Sequence, residues 1–315
     1  MSDATRLAGH VRNELGKVIV GQNEALDQLL LVLLVGGHAL VEGVPGLAKT
    51  LAVKTLAHVF QMQFQRVQCT PDLMPADVIG ANVFNLANSS FALHRGPIFT
   101  DLLLVDEINR TPPRTQSALL EAMEEHQVTI DGSTHPLSPF FAVFATQNPI
   151  EFEGTYPLPE AQLDRFLVKI GISYPETEQE IQVLQNFQNG FDPRKLDMAG
   201  IVPLPTDALR QAQQEVARVR VESELFRYVV SITGRTRNWP AVSLGASPRA
   251  AVNLMLVAKA LAATEDRDYV IPDDVKSAAV PVLRHRLVLK PEADLEGITA
   301  EQVIREIIQS VAVPK

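Results

Sequence analysis

Residues 43–50 constrain the fold of this chain more than any other stretch of its sequence. They read Gly-Val-Pro-Gly-Leu-Ala-Lys-Thr and follow the short apolar run 39–41. That run predicts a buried strand, and the apolar spacing over 50–60 predicts a helix directly after the glycines. A strand, a glycine-rich turn and a helix in this order predict a phosphate-binding P-loop, because backbone N–H groups and a helix amino terminus then face the anion.

Two residues of this loop carry specific chemistry, and one departs from the usual pattern. Lys49 is expected to reach the β- and γ-phosphates of a nucleotide, and Thr50 is expected to hold Mg²⁺. The position before the lysine is usually glycine, but here it is Ala48. A single methyl group is tolerated there if the residue already has helical dihedral angles.

A second apolar run, 102–105, ends in the adjacent carboxylates Asp106 and Glu107. Asp106 is expected to bind Mg²⁺ through water, and Glu107 to orient and polarise an attacking water. A strand that ends in Asp-Glu is often only a solvated strand end. Because this strand follows a P-loop, the pair predicts a site for a metal and a nucleophilic water.

Three further polar residues are candidates for the same site. Asn148 follows the apolar run 140–145 and could position water against the γ-phosphate, or it could be a turn residue. Arg165 precedes the last predicted strand, so it lies at the surface and could reach a neighbour's nucleotide. Arg249 follows Ser247 and Pro248, a helix cap and a first-turn proline, so it begins a helix. Either arginine could instead form a surface salt bridge.

The pattern of apolar runs predicts an α/β fold. Five buried strands separated by helical patterns imply a mainly parallel sheet with helices on both faces; they are expected at 39–41, 64–67, 102–105, 140–145 and 166–170. Two stretches with period-two patterns, 82–93 and 127–137, predict inserted β-hairpins. Their turns are expected near Asn88-Ser89 and at Asp131-Gly132.

Proline and glycine residues cluster between Tyr174 and Thr206 and predict a connection between two domains. The predicted organisation is an αβα core over 1–173 that includes the hairpins, a connection over 174–205, and an all-α lid over 206–315. Lid helices are expected at 207–219, 223–236, 247–262 and 272–283. Arg284, His285 and Arg286 are expected on a solvated helix face, although they could contact a neighbour.

The acidic balance of the chain limits its partners. A net charge of −9 and a pI near 5.3 oppose attraction to phosphate backbones, so a nucleic-acid motor is disfavoured.

Cys69 is the only cysteine, which excludes an intrachain disulfide. No secretion signal is recognised at the amino terminus, and the apolar stretch 29–35 is short of the roughly 20 residues that span a bilayer. We therefore expect a cytoplasmic protein without a membrane span.

In this order, the motifs resemble the AAA+ superfamily, and most closely the MoxR family of ATPases, over nearly the whole chain. The most specific segments are 42–50 (EGVPGLAKT), 106–110 (DEINR), 115–123 (TQSALLEAM), 146–149 (TQNP) and 154–161 (GTYPLPEA), which leads into Leu-Asp-Arg-Phe. Alanine before the lysine is shared by MoxR proteins, magnesium chelatases and replicative MCM helicases. The departure at Ala48 therefore supports the resemblance.

The resemblance implies a role for each candidate in binding ATP with Mg²⁺ and in hydrolysing the ATP. Lys49 and Thr50 would form the Walker A pair, and Asp106 and Glu107 would form the Walker B pair. Asn148 would be sensor 1, Arg165 the arginine finger and Arg249 sensor 2. The nucleotide contacts would be Val20, Gly21, Gly43, Val44, Pro45, Gly46, Leu47, Ala48, Lys49, Thr50, Leu51 and Asp106, and the metal ligands Thr50 and Asp106. The two hairpins would line an axial pore.

The resemblance also implies a homo-oligomeric ring, expected to be a hexamer. ATP would lie between the core and its own lid, with Arg165 of an adjacent subunit completing the site. The ring would act as a chaperone-like remodeller that matures a metalloenzyme or assembles another protein complex, with a client and a von Willebrand factor A domain partner. A magnesium-chelatase-type ATPase subunit and a nucleotide-gated scaffold with little hydrolysis are the alternatives.

Overall fold

The computed structural model describes residues 2–86, 89–148, 155–205 and 207–314. Its helices are α1 (Asp3–Gly16), α2 (Asn23–Val35), α3 (Lys49–Val59), α4 (Pro75–Ile79), α5 (Pro113–Glu125), α6 (Glu160–Leu163), α7 (Thr177–Gln188), α8 (Ala208–Arg218), α9 (Ser223–Thr236), α10 (Pro248–Thr264), α11 (Pro272–Leu283), α12 (Pro291–Leu295) and α13 (Ala300–Ser310). Its strands are β1 (Ala39–Glu42), β2 (Phe64–Gln68), β3 (Gly80–Asn85), β4 (Ser90–Arg95), β5 (Leu102–Asp106), β6 (Gln127–Ile130), β7 (Ser133–Pro136), β8 (Ala142–Gln147), β9 (Val168–Gly171), β10 (Val242–Leu244) and β11 (Val288–Leu289). Asn88, Pro149, Gly154 and Thr206, named in the sequence predictions, lie outside the described residues.

Five strands form one parallel sheet in the order β2-β5-β8-β1-β9. Every residue of β5 is buried, as a central parallel strand requires. Its side chains alternate between two apolar cores: Leu102 and Leu104 face one, and Leu103 and Val105 face the other. The predicted αβα sandwich is confirmed, and the carboxyl ends of the strands meet at one edge.

The prediction that β2 is buried is wrong. It is the edge strand beside β5, and only Val67 of its five residues is buried. Its polar residues Gln65 and Arg66 are exposed because no further strand covers them. Two other strands, β8 and β9, begin two residues later than predicted. The exposed edge matters because it brings Arg66 and Gln68 to the carboxyl end of the sheet.

Both predicted hairpins are present, as the antiparallel pairs β3–β4 and β6–β7. Asp131 and Gly132 have φ values of 48° and 80°, as the two-residue turn of a type I′ hairpin requires. The β3–β4 hairpin exposes two aromatic side chains, Phe84 and Phe91, whose ring centroids are 5.1 Å apart. This hairpin therefore presents an apolar pair to its surroundings.

The carboxyl-terminal region is mainly helical, and four of its helices fall within two residues of their predicted bounds. It also contains the small antiparallel pair β10–β11, which the all-helical prediction missed. Its helices pack on α1, α2 and β9 and share one apolar core with them. The predicted connection contains the helix α7, and the domain boundaries stay a prediction. None of the helices in the described ranges is long and apolar enough to cross a bilayer.

The prediction for Arg284, His285 and Arg286 is wrong, because these residues fasten the helical region to the core. His285 and Arg286 are buried, and the Arg284 side chain donates from Nε to the carbonyl oxygen of Lys169 at 2.6 Å. Arg286 Nε donates to Asp164 Oδ1, also at 2.6 Å. Burial lowers the pKa of Arg286, and the bonded Asp164 carboxylate opposes that shift.

Candidate nucleotide-binding site

The loop between β1 and α3 is built around glycines. A Cβ at Gly43 would lie 2.7 Å from the carbonyl oxygen of Ile172, and Gly46 has a φ of 87°. Lys49 Nζ donates to the carbonyl oxygen of Gly43 at 2.6 Å, so the ammonium group lies over the loop. Thr50 follows in the first turn of α3. The loop therefore has the strand, turn and helix context that a phosphate site needs.

Ala48 does not have the helical dihedral angles expected from the sequence. Its φ of 57° and ψ of 18° are left-handed, and it is the residue directly before α3. For a residue with a Cβ this conformation costs about 1–2 kcal/mol relative to the right-handed one. The position therefore has the backbone geometry that favours glycine, and the alanine adds local strain to the phosphate loop.

Asp106 is buried at the end of β5, and both of its carboxylate oxygens accept hydrogen bonds. Oδ1 accepts from the hydroxyl of Thr146 at 2.8 Å, and Oδ2 accepts from Arg66 Nε at 2.7 Å. Arg66 also brings its NH2 within 2.6 Å of Oδ2. A guanidinium thus already contacts the carboxylate that the sequence predicts as a partner of Mg²⁺. The sequence analysis gave no role to Arg66, or to Thr146 within the segment 146–149; the two residues lie on the strands that pair with β5.

Glu107 lies just beyond β5 in a left-handed conformation, with a φ of 59° and a ψ of 52°. Its backbone N–H donates to the hydroxyl oxygen of Thr146 at 2.9 Å. Oε2 of its carboxylate is 3.2 Å from Arg110 NH1 and 3.3 Å from Gln68 Nε2. Backbone strain of this kind is concentrated at functional sites, and here it sets the direction of the Glu107 side chain.

One cavity of about 480 Å³ brings most of the predicted catalytic and metal-binding residues together. Its lining comprises Pro45, Gly46, Leu47, Ala48, Lys49, Thr50, Leu51, Arg66, Gln68, Asp106, Glu107, Thr146, Asn148 and Pro193. Asn148 is buried directly after β8. The cavity therefore holds an ammonium group, a helix amino terminus and two carboxylates within one space.

A second cavity of about 450 Å³ adjoins the first, with Gly46, Leu47, Ala48, Leu51 and Pro193 in both walls. Its other residues are Val18, Ile19, Val20, Gln22, Pro175, Glu180, Val183, Leu184, Phe187 and Phe191. Mostly apolar walls of this kind suit the flat face of a nucleobase. Gly21, between two lining residues, has a φ of 72°.

The helix α7, and not the carboxyl-terminal helical region, lies over this second cavity. Among the described residues, none beyond Pro193 lines either cavity. The described residues of the predicted lid therefore line neither cavity, and the position of ATP between the core and its own lid stays a prediction. The helices α8, α10 and α11 pack against α1, α2 and β9.

Arg165 and Arg249 meet at a third place. Arg165 NH2 is 3.0 Å from Oε2 of Glu124, and Arg249 NH2 donates to Oε1 of the same carboxylate. Neither arginine lines the two cavities at the phosphate loop. The structure thus brings the two predicted arginines together, but away from the other candidate residues. Their roles as arginine finger and sensor 2 stay predictions.

The residues of the first cavity fit Mg²⁺ bound with a nucleotide. Mg²⁺ is usually held by one or two protein oxygens together with water and phosphate, and Asp106 with Thr50 supplies such a set. The pairing of Asp106 Oδ2 with a guanidinium shows that this buried carboxylate takes a cationic partner. In the described part of the chain no cluster of three or more His, Cys, Asp or Glu side chains offers another metal site.

Comparison with known proteins agrees with this geometry. Residues 38–168 match the model of the ATPase family associated with various cellular activities (AAA), and residues 234–307 match the AAA lid domain. A crystal structure of a protein from Cytophaga hutchinsonii, described only provisionally as an ATPase, is 41% identical with a TM-score of 0.90. The match covers 99% of this chain and 97% of that one.

Curated relatives extend the comparison to the full length of the chain. The uncharacterized protein YeaC of Bacillus subtilis is 45% identical, with 99% of this chain and 96% of the relative aligned. Chaperone MoxR1 of Mycobacterium tuberculosis is 44% identical, with 96% of this chain and 81% of the relative aligned. Protein MoxR of Methylorubrum extorquens is 28% identical, with 100% of this chain and 97% of the relative aligned. The chain belongs to the MoxR family of AAA+ ATPases.

Proposed function

We propose that this chain binds ATP with Mg²⁺ and hydrolyses the ATP. The observation that supports the proposal is a single cavity lined by Lys49, Thr50, Asp106, Glu107 and Asn148. Binding a triphosphate requires cationic and N–H donors, and its hydrolysis requires a carboxylate that can reach a water. Both kinds of group line that cavity. Family membership supports the same activity.

Glu107 is the residue proposed to orient and deprotonate the attacking water. Its backbone is fixed by Thr146, and its carboxylate is held between Gln68 and Arg110. Lys49 and the backbone N–H groups of the loop would bind the β- and γ-phosphates and stabilise the charge that develops there. Mg²⁺, when bound near Asp106 and Thr50, would neutralise part of the phosphate charge.

A neighbouring copy of the chain is proposed to supply Arg165 together with Arg249. Both guanidinium groups lie outside the cavities at their own phosphate loop, which supports a role at the nucleotide of another subunit. A head-to-tail contact of this kind gives every subunit the same neighbour only when it closes into a ring. We therefore propose a homo-oligomeric ring and expect six subunits.

Hydrolysis is proposed to drive remodelling of a protein client. The name of one relative, Chaperone MoxR1, supports this use. The exposed aromatic pair Phe84 and Phe91, on the β3–β4 hairpin, would suit contact with an apolar polypeptide. A metalloenzyme or other complex as client, a von Willebrand factor A domain partner and a cytoplasmic location stay proposals that rest on the family resemblance.

The direct test is nucleotide binding and Mg²⁺-dependent ATP hydrolysis by the full chain and by Lys49→Ala. We expect the variant to bind ATP about ten- to a hundredfold more weakly, because hydrogen bonds to charged groups contribute about 1.5–3 kcal/mol. Lys54→Ala, on the same helix but outside the cavity, is the matched control. Unchanged ATP affinity in Lys49→Ala would contradict the proposed site.

Arg66 is expected to compete with Mg²⁺ for Asp106, since its guanidinium already contacts Oδ2. In Arg66→Ala the Mg²⁺ concentration for half-maximal binding of a fluorescent ATP analogue should fall by about two- to fivefold, the range for a half-exposed ion pair. Gln65→Ala, on the exposed edge of the same strand, is the control. A midpoint that rises in Arg66→Ala would show that Arg66 assists Mg²⁺ or nucleotide binding.

A further inference from the structure

Glu124 lies in the last turn of α5 and joins two arginines from distant parts of the chain. Its Oε2 is 3.0 Å from Arg165 NH2, and its Oε1 accepts from Arg249 NH2. Each arginine therefore takes one oxygen of the carboxylate through one terminal nitrogen. Among the described residues these are the only hydrogen bonds and ion pairs of the two guanidinium groups. The other N–H groups of each guanidinium are left for a further anion.

The three segments that meet at Glu124 are held by buried and partly buried contacts. Asp164, next to Arg165, accepts from Ser247 Oγ at 2.9 Å and from Arg286 Nε at 2.6 Å. Ser247 is the cap of α10, the helix that carries Arg249. One carboxylate thus ties the backbone before Arg165 to the start of α10.

The end of α5 is fixed as well. Nδ1 of the buried His38 accepts from the backbone N–H of Val143 at 3.0 Å, so its Nε2 carries the proton and donates to the Met123 carbonyl at 3.0 Å. Burial lowers the pKa of His38 to about 4, which keeps the imidazole neutral. Met123 immediately precedes Glu124, so the carboxylate extends from a rigid point.

The contacts at Glu124 do not stabilise the fold to any great extent. Glu124, Arg165 and Arg249 side chains are 34%, 29% and 46% exposed, and ion pairs this exposed contribute little to stability. The hydrogen bond from Arg249 and the charges of both arginines lower the pKa of Glu124, so it is ionised at neutral pH. A geometric role suits a contact that adds little to stability yet joins the two arginines proposed to act in trans.

We propose that Glu124 is a positioning residue that holds Arg165 and Arg249 together as one two-arginine group directed at the nucleotide of the adjacent subunit. The inference rests on the proposed shared site. A γ-phosphate would accept from the N–H groups that Glu124 does not use, while the carboxylate keeps the two guanidinium groups at a fixed spacing. Without it, two like charges would repel one another and the group would lose its geometry.

The test is Glu124→Gln, with Glu125→Gln as the matched control on the neighbouring exposed residue. Glutamine keeps one acceptor oxygen, but its NH₂ group cannot accept from the second arginine. We expect the rate of hydrolysis at saturating ATP to fall tenfold or more, on the order of what a small misplacement of a catalytic group costs. Nucleotide affinity and the melting temperature should stay as in the wild type and in Glu125→Gln.

Mixed assemblies separate positioning in trans from other effects. Glu124→Gln subunits mixed with Glu107→Gln subunits, whose arginines are intact, should hydrolyse ATP faster than either variant alone. Mixing Glu124→Gln with a chain that carries both substitutions should give no such gain. Wild-type activity of Glu124→Gln, a loss that mixing does not restore, or a melting temperature lower by more than about 3 °C would each overturn the inference.

The same measurements on Arg165→Ala separate this inference from the proposed function. If Arg165→Ala is inactive and is rescued by mixing while Glu124→Gln is fully active, the shared site stands and only the role of Glu124 fails. If Arg165→Ala retains full activity, the shared site itself fails.

Discussion

Glu107→Gln should bind ATP as tightly as the wild-type chain and almost stop its hydrolysis. The amide has nearly the shape of the carboxylate, so the contact with Thr146 through the backbone N–H is unaffected. It cannot take a proton from water, however, and loss of a general base costs about 10²- to 10⁴-fold in rate. Single-turnover hydrolysis and nucleotide binding, measured on the same preparation, give the two quantities separately.

The control for this variant is again Glu125→Gln, which changes the same chemical group on the exposed end of α5. It should bind and hydrolyse ATP as the wild type does. A Glu107→Gln chain that hydrolyses ATP at the full rate would exclude Glu107 as the residue that activates water. The carboxylate would then serve only its contacts with Gln68 and Arg110.

Arg165→Ala should reduce hydrolysis by about 10³- to 10⁵-fold, the range for an arginine that acts in trans on a transferring phosphoryl group. Its own nucleotide affinity should not change, because Arg165 lines neither cavity at the phosphate loop. The measurement is the rate at saturating ATP in assemblies whose size is confirmed by light scattering. Arg114→Ala, on the exposed first turn of α5, is the control.

Mixing Arg165→Ala with Glu107→Gln should restore activity, since each variant supplies the group that the other lacks. The active sites would be those with Glu107 from one subunit and Arg165 from its neighbour. Assemblies that contain both variants and remain inactive would contradict the proposed geometry. Activity of Arg165→Ala without mixing would remove the need for an arginine in trans.

The phosphate loop and the strands beside it could be predicted because their signals are local. An apolar run, glycines and a helical pattern within 39–60 define strand, turn and helix, and Asp106 ends a fully buried strand. The dihedral angles of Ala48 could not be predicted this way. A left-handed residue with a Cβ depends on how the loop must turn into α3, and its side chain gives no sign of it.

Part of the candidate site depends on contacts between distant segments, and the sequence analysis did not predict these contacts. Arg66 and Asp106 are 40 positions apart in the chain and meet only because β2 pairs with β5. Thr146 reaches Asp106 from β8, on the other side of β5. Glu124 meets Arg249 across 125 positions. Such contacts require the strand order and the helix packing, which apolar patterns alone do not specify.

The helix α7 within the predicted connection was missed for a related reason. The helix α7 contains no buried residue, so its apolar side chains gave no core signal and the flanking prolines and glycines predicted only a connection. Arg286 was mispredicted in the opposite direction. A charged side chain is expected at the surface, but Arg286 is buried because Asp164 and backbone carbonyl groups accept its hydrogen bonds.

We propose that the active site is shared between copies of the chain. Steady-state ATP hydrolysis per chain, with Mg²⁺, measured across a wide range of chain concentration, tests it most directly, with light scattering on the same samples to follow assembly. The specific rate should be close to zero for dissociated chains, rise as they assemble, and then saturate. A substantial rate that stays constant while the chains are shown to be dissociated would contradict a shared site.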